Sequence, residues 1–274
     1  MRRAIHLSRH GLAATLLVLA IGAPVQGQAP TLSQDTRNGP ITIEATNGIE
    51  WSRVDKTYIA RGQAVARRGD LAVRAETLTA RYRETATEQP EIFKIEAVGE
   101  VVLVSPRERV EGARGVYDVD RAMVKLTGKG LRFTSGEHVI TARDSLEYWR
   151  AKKLAVARGA AKVIRAQQSL RADQLTAHFR ETEGAMSLAL VEATGGVIIQ
   201  TRDEIARGSR GVYNATTEKA ILSGDVRITR GQNQLNGARA EVDFKTGVSR
   251  MLADGDKGRV KGLLTPEDKA RAKQ

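Results

Sequence analysis

The stretch VRAETLTARYRE, residues 73–84, is nearly written again 97 residues later as LRADQLTAHFRE at 170–181, with seven of twelve positions identical. A chain that repeats itself folds as copies of one unit stacked on each other, so this feature constrains the fold more than composition does. The small residue opening each segment falls at Ala45, Ala75, Ala113, Ala142, Ala172, Ser209 and Ala238, at intervals of 30, 38, 29, 30, 37 and 29. Units of about 30 residues are therefore grouped in threes, with a long period of 96–97. Ala45, Ile49, Trp51, Ala60 and Gly62 recur with unchanged spacing as Ala142, Leu146, Tyr148, Ala157 and Gly159. They recur again as Ala238, Val242, Phe244, Ala253 and Gly255.

Within a unit the period is two. GEVVLV, GLRFTS, GGVIIQT and GDVRITRG alternate apolar and polar residues, as do Ala238, Ala240, Val242 and Phe244 against Arg239, Glu241 and Asp243. That is the pattern of strands with one buried and one wet face. NG, SPRE, TSGE, SGD, TRDE and KTG read as turns between them. Residues 144–181 are rich in Ala, Arg, Lys, Gln and Leu and favour helix by propensity. Their equivalence to residues 47–84, which carry strand and breaker signals, assigns them to strand instead. The expected fold is all-β: an elongated, antiparallel, two-walled stack of repeated strand pairs. With one strand per wall from each of seven units, it would stand roughly 34 Å tall.

The ends read differently. MRRAIHLSRHG, the apolar run Leu12–Ile21 and the small residues Val25 and Gly27 form a secretory signal, with cleavage expected after Gly27. Residues 28–40 read as a flexible leader, 41–262 as a single β-repeat domain and 263–274 as a polar tail. In that tail Thr265, Pro266 and Asp268 predict a short helix. The chain has no cysteine, so an exported fold of this length relies on burial alone. Its formal charge of +12 falls to about +9 without residues 1–27, which contain three arginines and no acid. Export turns that excess away from nucleic acid and toward anionic lipid, phosphate or polysaccharide.

No constellation for catalysis stands out. Beyond residue 27 the histidines are His138 and His178, neither at ligand spacing to another His or Cys, and there is no G-x-S-x-G or P-loop. Asp118, Asp120, Asp144 and Glu147 lack the aromatic platforms of sugar-cleaving grooves. Neither metal nor cofactor is expected.

The export signal, the repeated array and the motifs VEATGGVIIQT, LTGKGLRFTSGE and LSGDVRITRGQ resemble the OstA-like family of lipopolysaccharide transport, over about residues 40–262. The resemblance implies a β-jelly roll whose walls splay into an apolar groove for lipopolysaccharide acyl chains. It also implies a periplasmic place between an inner-membrane transporter and an outer-membrane translocon, and units joined end to end. The expected inward rows are Ile49/Trp51, Val101/Leu103, Leu131/Phe133, Leu146/Tyr148, Val197/Ile199, Val226/Ile228 and Val242/Phe244. The competing readings are an exported β-solenoid adhesin or scaffold and the membrane-anchored member of the same transport system.

Overall fold

Alternation with period two becomes strand along the whole repeat. The computed structural model describes residues 41–85, 90–182, 185–255 and 258–265, and the eighteen elements in them are all β-strands. The helix-prone stretch is β10 (Ser145–Trp149), β11 (Leu154–Arg165) and β12 (Gln168–Thr182). Pairing on both sides overrides its propensity. The signal, the leader and the tail-helix residues from Pro266 on lie outside the described residues. Leu263, assigned to the tail by sequence, ends a strand.

The chain meanders upward. β3 (Thr57–Arg68), β4 (Leu71–Glu84), β5 (Pro90–Val104) and β6 (Glu108–Asp118) pair in turn, each antiparallel to the last. β11 and β12 continue the pattern through β13 (Ala185–Gln200), β14 (Glu204–Asn214), β15 (Lys219–Arg230) and β16 (Asn233–Asp243). Elsewhere two short strands share one level. β1 (Thr42–Glu44) and β2 (Ile49–Ser52) both lie along β3, and β7 (Met123–Thr127) and β8 (Arg132–Ser135) along β6. β9 (His138–Thr141) and β10 lie along β11, and β17 (Val248–Leu252) and β18 (Lys261–Leu263) along β16. The eighteen described strands thus form fourteen levels of one hydrogen-bonded sheet. Each sequence unit supplies two levels, and every level crosses both walls. The stack is therefore roughly 60 Å tall, about twice the sequence estimate.

What folds one sheet into two walls is a corner in mid-strand. Gly62-Gln63, Gly99-Glu100, Gly159-Ala160, Gly195-Gly196 and Gly224-Asp225 each place two successive residues at positive φ. The ladder register jumps at each of them. A bulge of this kind bends and twists the strand. SGD at 223–225 is such a corner inside β15, not the turn its composition suggests. The glycine is also required for space. A Cβ at Gly159 would come within 2.2 Å of Asp144 Oδ2, and one at Gly195 within 2.1 Å of Asp173 Oδ2.

Wall A holds β2, β7, β10, β17 and the matching half of each long strand. Wall B holds β1, β8, β9, β18 and the other halves. The long sequence intervals have a physical counterpart here. β4, β5, β12 and β13 run to 14, 15, 15 and 16 residues against 11 in β6 and β14. The hairpins β4–β5 and β12–β13 therefore project beyond the other hairpins at the lip of wall A.

Gly159→Ala, strained at φ +81 and crowded by Asp144, is expected to lower unfolding free energy by about 1–2 kcal/mol in urea titration. Ala160→Gly next to it, at φ +46, is expected to lose nothing.

Candidate functional site

The inner faces of the two walls enclose the candidate site. Pairing aligns their side chains into rows that run up the stack. Beside the corner on wall A the row reads Ala60, Leu78, Ala97, Gly115, Leu126, Leu146 through the lower levels. It continues as Ala157, Leu175, Ala193, Gly211, Leu222, Ala240. Alanines, glycines and leucines let the walls close together at the corner. Ala64, Ala161 and Val197 are fully buried there. One step nearer the lip, wall A carries Trp51, Tyr58, Tyr117, Tyr148 and Tyr213 in a single row. At its foot Trp51 stacks on Tyr58 with centroids 5.7 Å apart, and Trp51 Nε1 donates to the Tyr82 hydroxyl at 3.0 Å. Wall B offers aliphatic residues at the same depth: Val73, Leu103, Val110, Phe133, Ile140, Leu170, Ile199 and Ile228 among them.

Toward the top the inner faces of the two walls leave a small apolar cleft that reaches solvent. Leu170, Val197, Ile199, Ala206 and Ile228 line it from wall B, and Val191, Ala193, Tyr213, Leu222 and Val242 from wall A. The cleft offers no placed acid, base or nucleophile. Among the described residues no group of three or more His, Cys, Asp or Glu gathers as metal ligands.

Of the fourteen residues expected to face inward, Val197, Ile199, Ile228 and Val242 line this cleft. Val101, Leu103, Leu131, Leu146, Tyr148 and Val226 are buried in the same core, and Phe133 and Phe244 pack against it half-buried. Ile49 and Trp51 differ, at 52% and 53% exposed, because they stand on the first level with no neighbour below. Leu170, Ala193, Ala206 and Tyr213 also line the cleft and are not among the expected inward residues. Their signal was present: Leu170 and Tyr213 are the repeat equivalents of Val73 and Tyr117.

On the outer face of wall A each glutamate of one row is paired. One cross-strand row places Glu50, Glu96, Glu147, Glu192 and Glu241 at every third level. Each has a cation: Arg61 at 2.8 Å from Glu50, Lys94 at 2.8 Å from Glu96, Lys125 at 3.2 Å from Glu147. Arg210 lies 2.9 Å from Glu192, and Arg239 lies beside Glu241 at 2.5 Å. Burial pushes the Glu147 carboxyl up, but hydrogen bonds from Ser145, Trp149 and Lys125 outweigh it and hold the group below the usual carboxylate value. The hydrogen bond with His178, opposed by burial and aided by Arg210, lowers Glu192 in the same way.

The family profile described as "LptA/(LptD N-terminal domain) LPS transport protein" matches residues 42–148 and again residues 140–248. An uncharacterised protein of Rhizobium meliloti (strain 1021) is 25% identical over 147 residues, covering 52% of this chain and 78% of its own length. Among solved structures, LptH of Pseudomonas aeruginosa, described as the LptA-homologous periplasmic component of the conserved lipopolysaccharide transport device, is similar at 18% identity. The TM-score is 0.40, over 47% of this chain and 95% of that one.

Because the folded-state values of Glu147 and Glu192 are depressed, their stabilisation is present above the ordinary value of 4.5 and is lost as pH falls through the folded values. Glu147→Gln is expected to lose stability at neutral pH and to show a shallower decline on acidification, read from urea unfolding across the acid range.

Proposed function

The chain belongs to the LptA/LptD N-terminal domain family of lipopolysaccharide transport proteins, and we propose that it is a periplasmic bridge that carries lipopolysaccharide by its acyl chains. The observation that supports this most is the inner surface: apolar rows run up both walls and line a cleft near the top. An acyl chain exposed to water costs about 0.8 kcal/mol per CH₂, so a lipid with several chains needs such a lining to cross an aqueous space. Nothing in this role asks for bond chemistry. The protein acts as a passive conduit, not an enzyme, and energy comes from the inner-membrane transporter at one end of the route. The sugar and phosphate head stays in water at the mouth, and an outer-membrane translocon receives the lipid. Among the described residues no helix is long and apolar enough to cross a membrane.

The two ends of the stack support assembly. Ile41, Ile49, Trp51 and Val54 are exposed at the bottom, and Val248, Leu252, Val260, Leu263 and Leu264 at the top. Among the described residues the other large exposed apolar residue is Val98, beside a corner. Both terminal levels also present unpaired backbone edges, the ordinary substrate for strand addition. The parity is right as well. The first level runs from wall B to wall A and the last from wall A to wall B, so a second copy placed on top meets it antiparallel on both walls. Head-to-tail contact then continues the groove from copy to copy and does not close into a ring.

A photo-reactive residue at Ile199 or Phe133 is expected to crosslink lipopolysaccharide, and one at the outward Thr79 or Arg114 is not. Crosslinks confined to the outward pair would overturn the groove. Self-association is expected to rise with concentration in light scattering and to fall in the Ile49→Lys and Leu263→Lys variants. A monomer at every concentration, with transport components present too, would remove the end-to-end arrangement.

A further inference from the structure

The outer face of wall B carries a charge pattern that lipid carriage inside the groove does not use. From the sixth level to the last, one cross-strand row reads Arg132, Thr141, Lys162, Arg171, Ile198, Arg207, Arg227, Asn236, Lys261. Six of these nine are cations and none is an acid. Arg132, Arg171, Arg207, Arg227 and Lys261 are exposed, and Lys162 is half-buried. Among the described residues none of the six forms an ion pair, whereas the equivalent row on wall A is paired at every glutamate. Over these levels the acids of this wall stand outside the row, Asp173 and Asp225 at the corner and Glu137, Asp203 and Glu204 at the lip, while Glu111 lies opposite Arg132 one level below. Below the sixth level the row does contain acids, Glu44 and Glu111, and each pairs with a neighbouring arginine. The unpaired strip is thus confined to the upper part of wall B.

Two features make the strip more than a solvated face. Lys162 sits directly opposite Arg171, and Arg207 directly opposite Arg227. Like charges in those positions destabilise a sheet, and an anion lying between them relieves the repulsion. The strip is also long: nine levels span roughly 38 Å along the stack axis. The row beside it, nearer the lip, is uncharged over the same levels: Thr134, Val139, Ile164, Ser169, Gln200, Ile205, Thr229 and Gln234, with half-buried valine and isoleucine among them.

The geometry points to this face as a docking surface for an anionic lipid bilayer on which a copy not yet joined end to end lies with its stack axis along the membrane, its cations on the phosphate plane and the half-buried Val139, Ile164 and Ile205 at the interface. A cation row of this length suits an extended surface of phosphates better than a single small ligand, which would need a concave site. Each cation held near an anionic leaflet strengthens binding roughly fivefold, and salt screens the gain.

The test is co-sedimentation of the full mature chain with vesicles of phosphatidylcholine, with and without phosphatidylglycerol, at low and high salt. Binding is expected to need the anionic lipid and to vanish at high salt. The triple variant Arg171→Glu, Arg207→Glu, Arg227→Glu is expected to lose binding by on the order of a hundredfold. Arg114→Glu, Lys245→Glu, Arg250→Glu makes the same net charge change on wall A and its lip and is expected to lose far less. Equal losses in the two variants, or vesicle binding that neither alters, overturn the assignment. If the wall B variant keeps its vesicle binding and instead loses affinity for purified lipopolysaccharide, the passenger's own phosphates occupy the strip and bilayer docking is overturned. Folding is checked by Arg207→Glu alone, which faces Arg227 and is expected to raise the melting temperature while weakening vesicle binding. Crosslinking of lipid from Ile199 is expected to persist in every variant, so loss of the strip and loss of the groove read out separately.

Discussion

The architecture depends on the mid-strand corner. A continuous antiparallel ladder of fourteen levels would otherwise be a single twisted sheet with two wet faces and nowhere to bury its apolar side. Two residues at positive φ, the first a glycine pressed against the strand beside it, bend each alternate level and bring the two halves of one face toward each other. Burial of Ala64, Ala161, Val197 and Val226 next to the corners follows from that bend. So does the choice of residues there, since alanine and glycine alternating with leucine let the walls converge where tyrosine and phenylalanine stand further out.

The same bend divides the surface into four faces with different chemistry. Inside, wall A contributes a tyrosine row and wall B an aliphatic one. Outside, wall A neutralises its glutamates level by level, and the upper part of wall B leaves its cations unopposed. Because every residue directly opposite another points the same way, a one-residue change in register on any level would exchange inner and outer chemistry for that level. The corner glycines fix register as well as direction, and that is why burial and charge segregate so cleanly over the height of the stack.

Much of this was legible in the sequence. Alternation with period two gave strand even where Ala, Lys and Gln favour helix, because β11 and β12 repeat the pattern of β3 and β4. The repeat gave the family and the identity of most core residues. Two things were hidden. Glycine in a strand pattern reads as a turn, so composition puts a loop at Gly224 and one strand per wall in each unit, which halves the expected height. Exposure at the ends was the other: Ile49 has the same alternation as Leu146, and only position in the stack leaves one in water and the other buried. The three-level spacing of the wall A glutamates was also out of reach, since successive members lie on strands of opposite direction and share no common local motif.

Each strand of this sheet makes its main contacts with the levels just above and below it. Stability in such a build is a sum of nearest-neighbour couplings, not the property of one shared centre. The interior levels are coupled on two sides and the outermost on one, so melting starts at the ends and travels inward. The first and last levels are therefore the softest part of the molecule in isolation. A partner seated on either end supplies the missing coupling and arrests the fraying, so assembly and local ordering become one event.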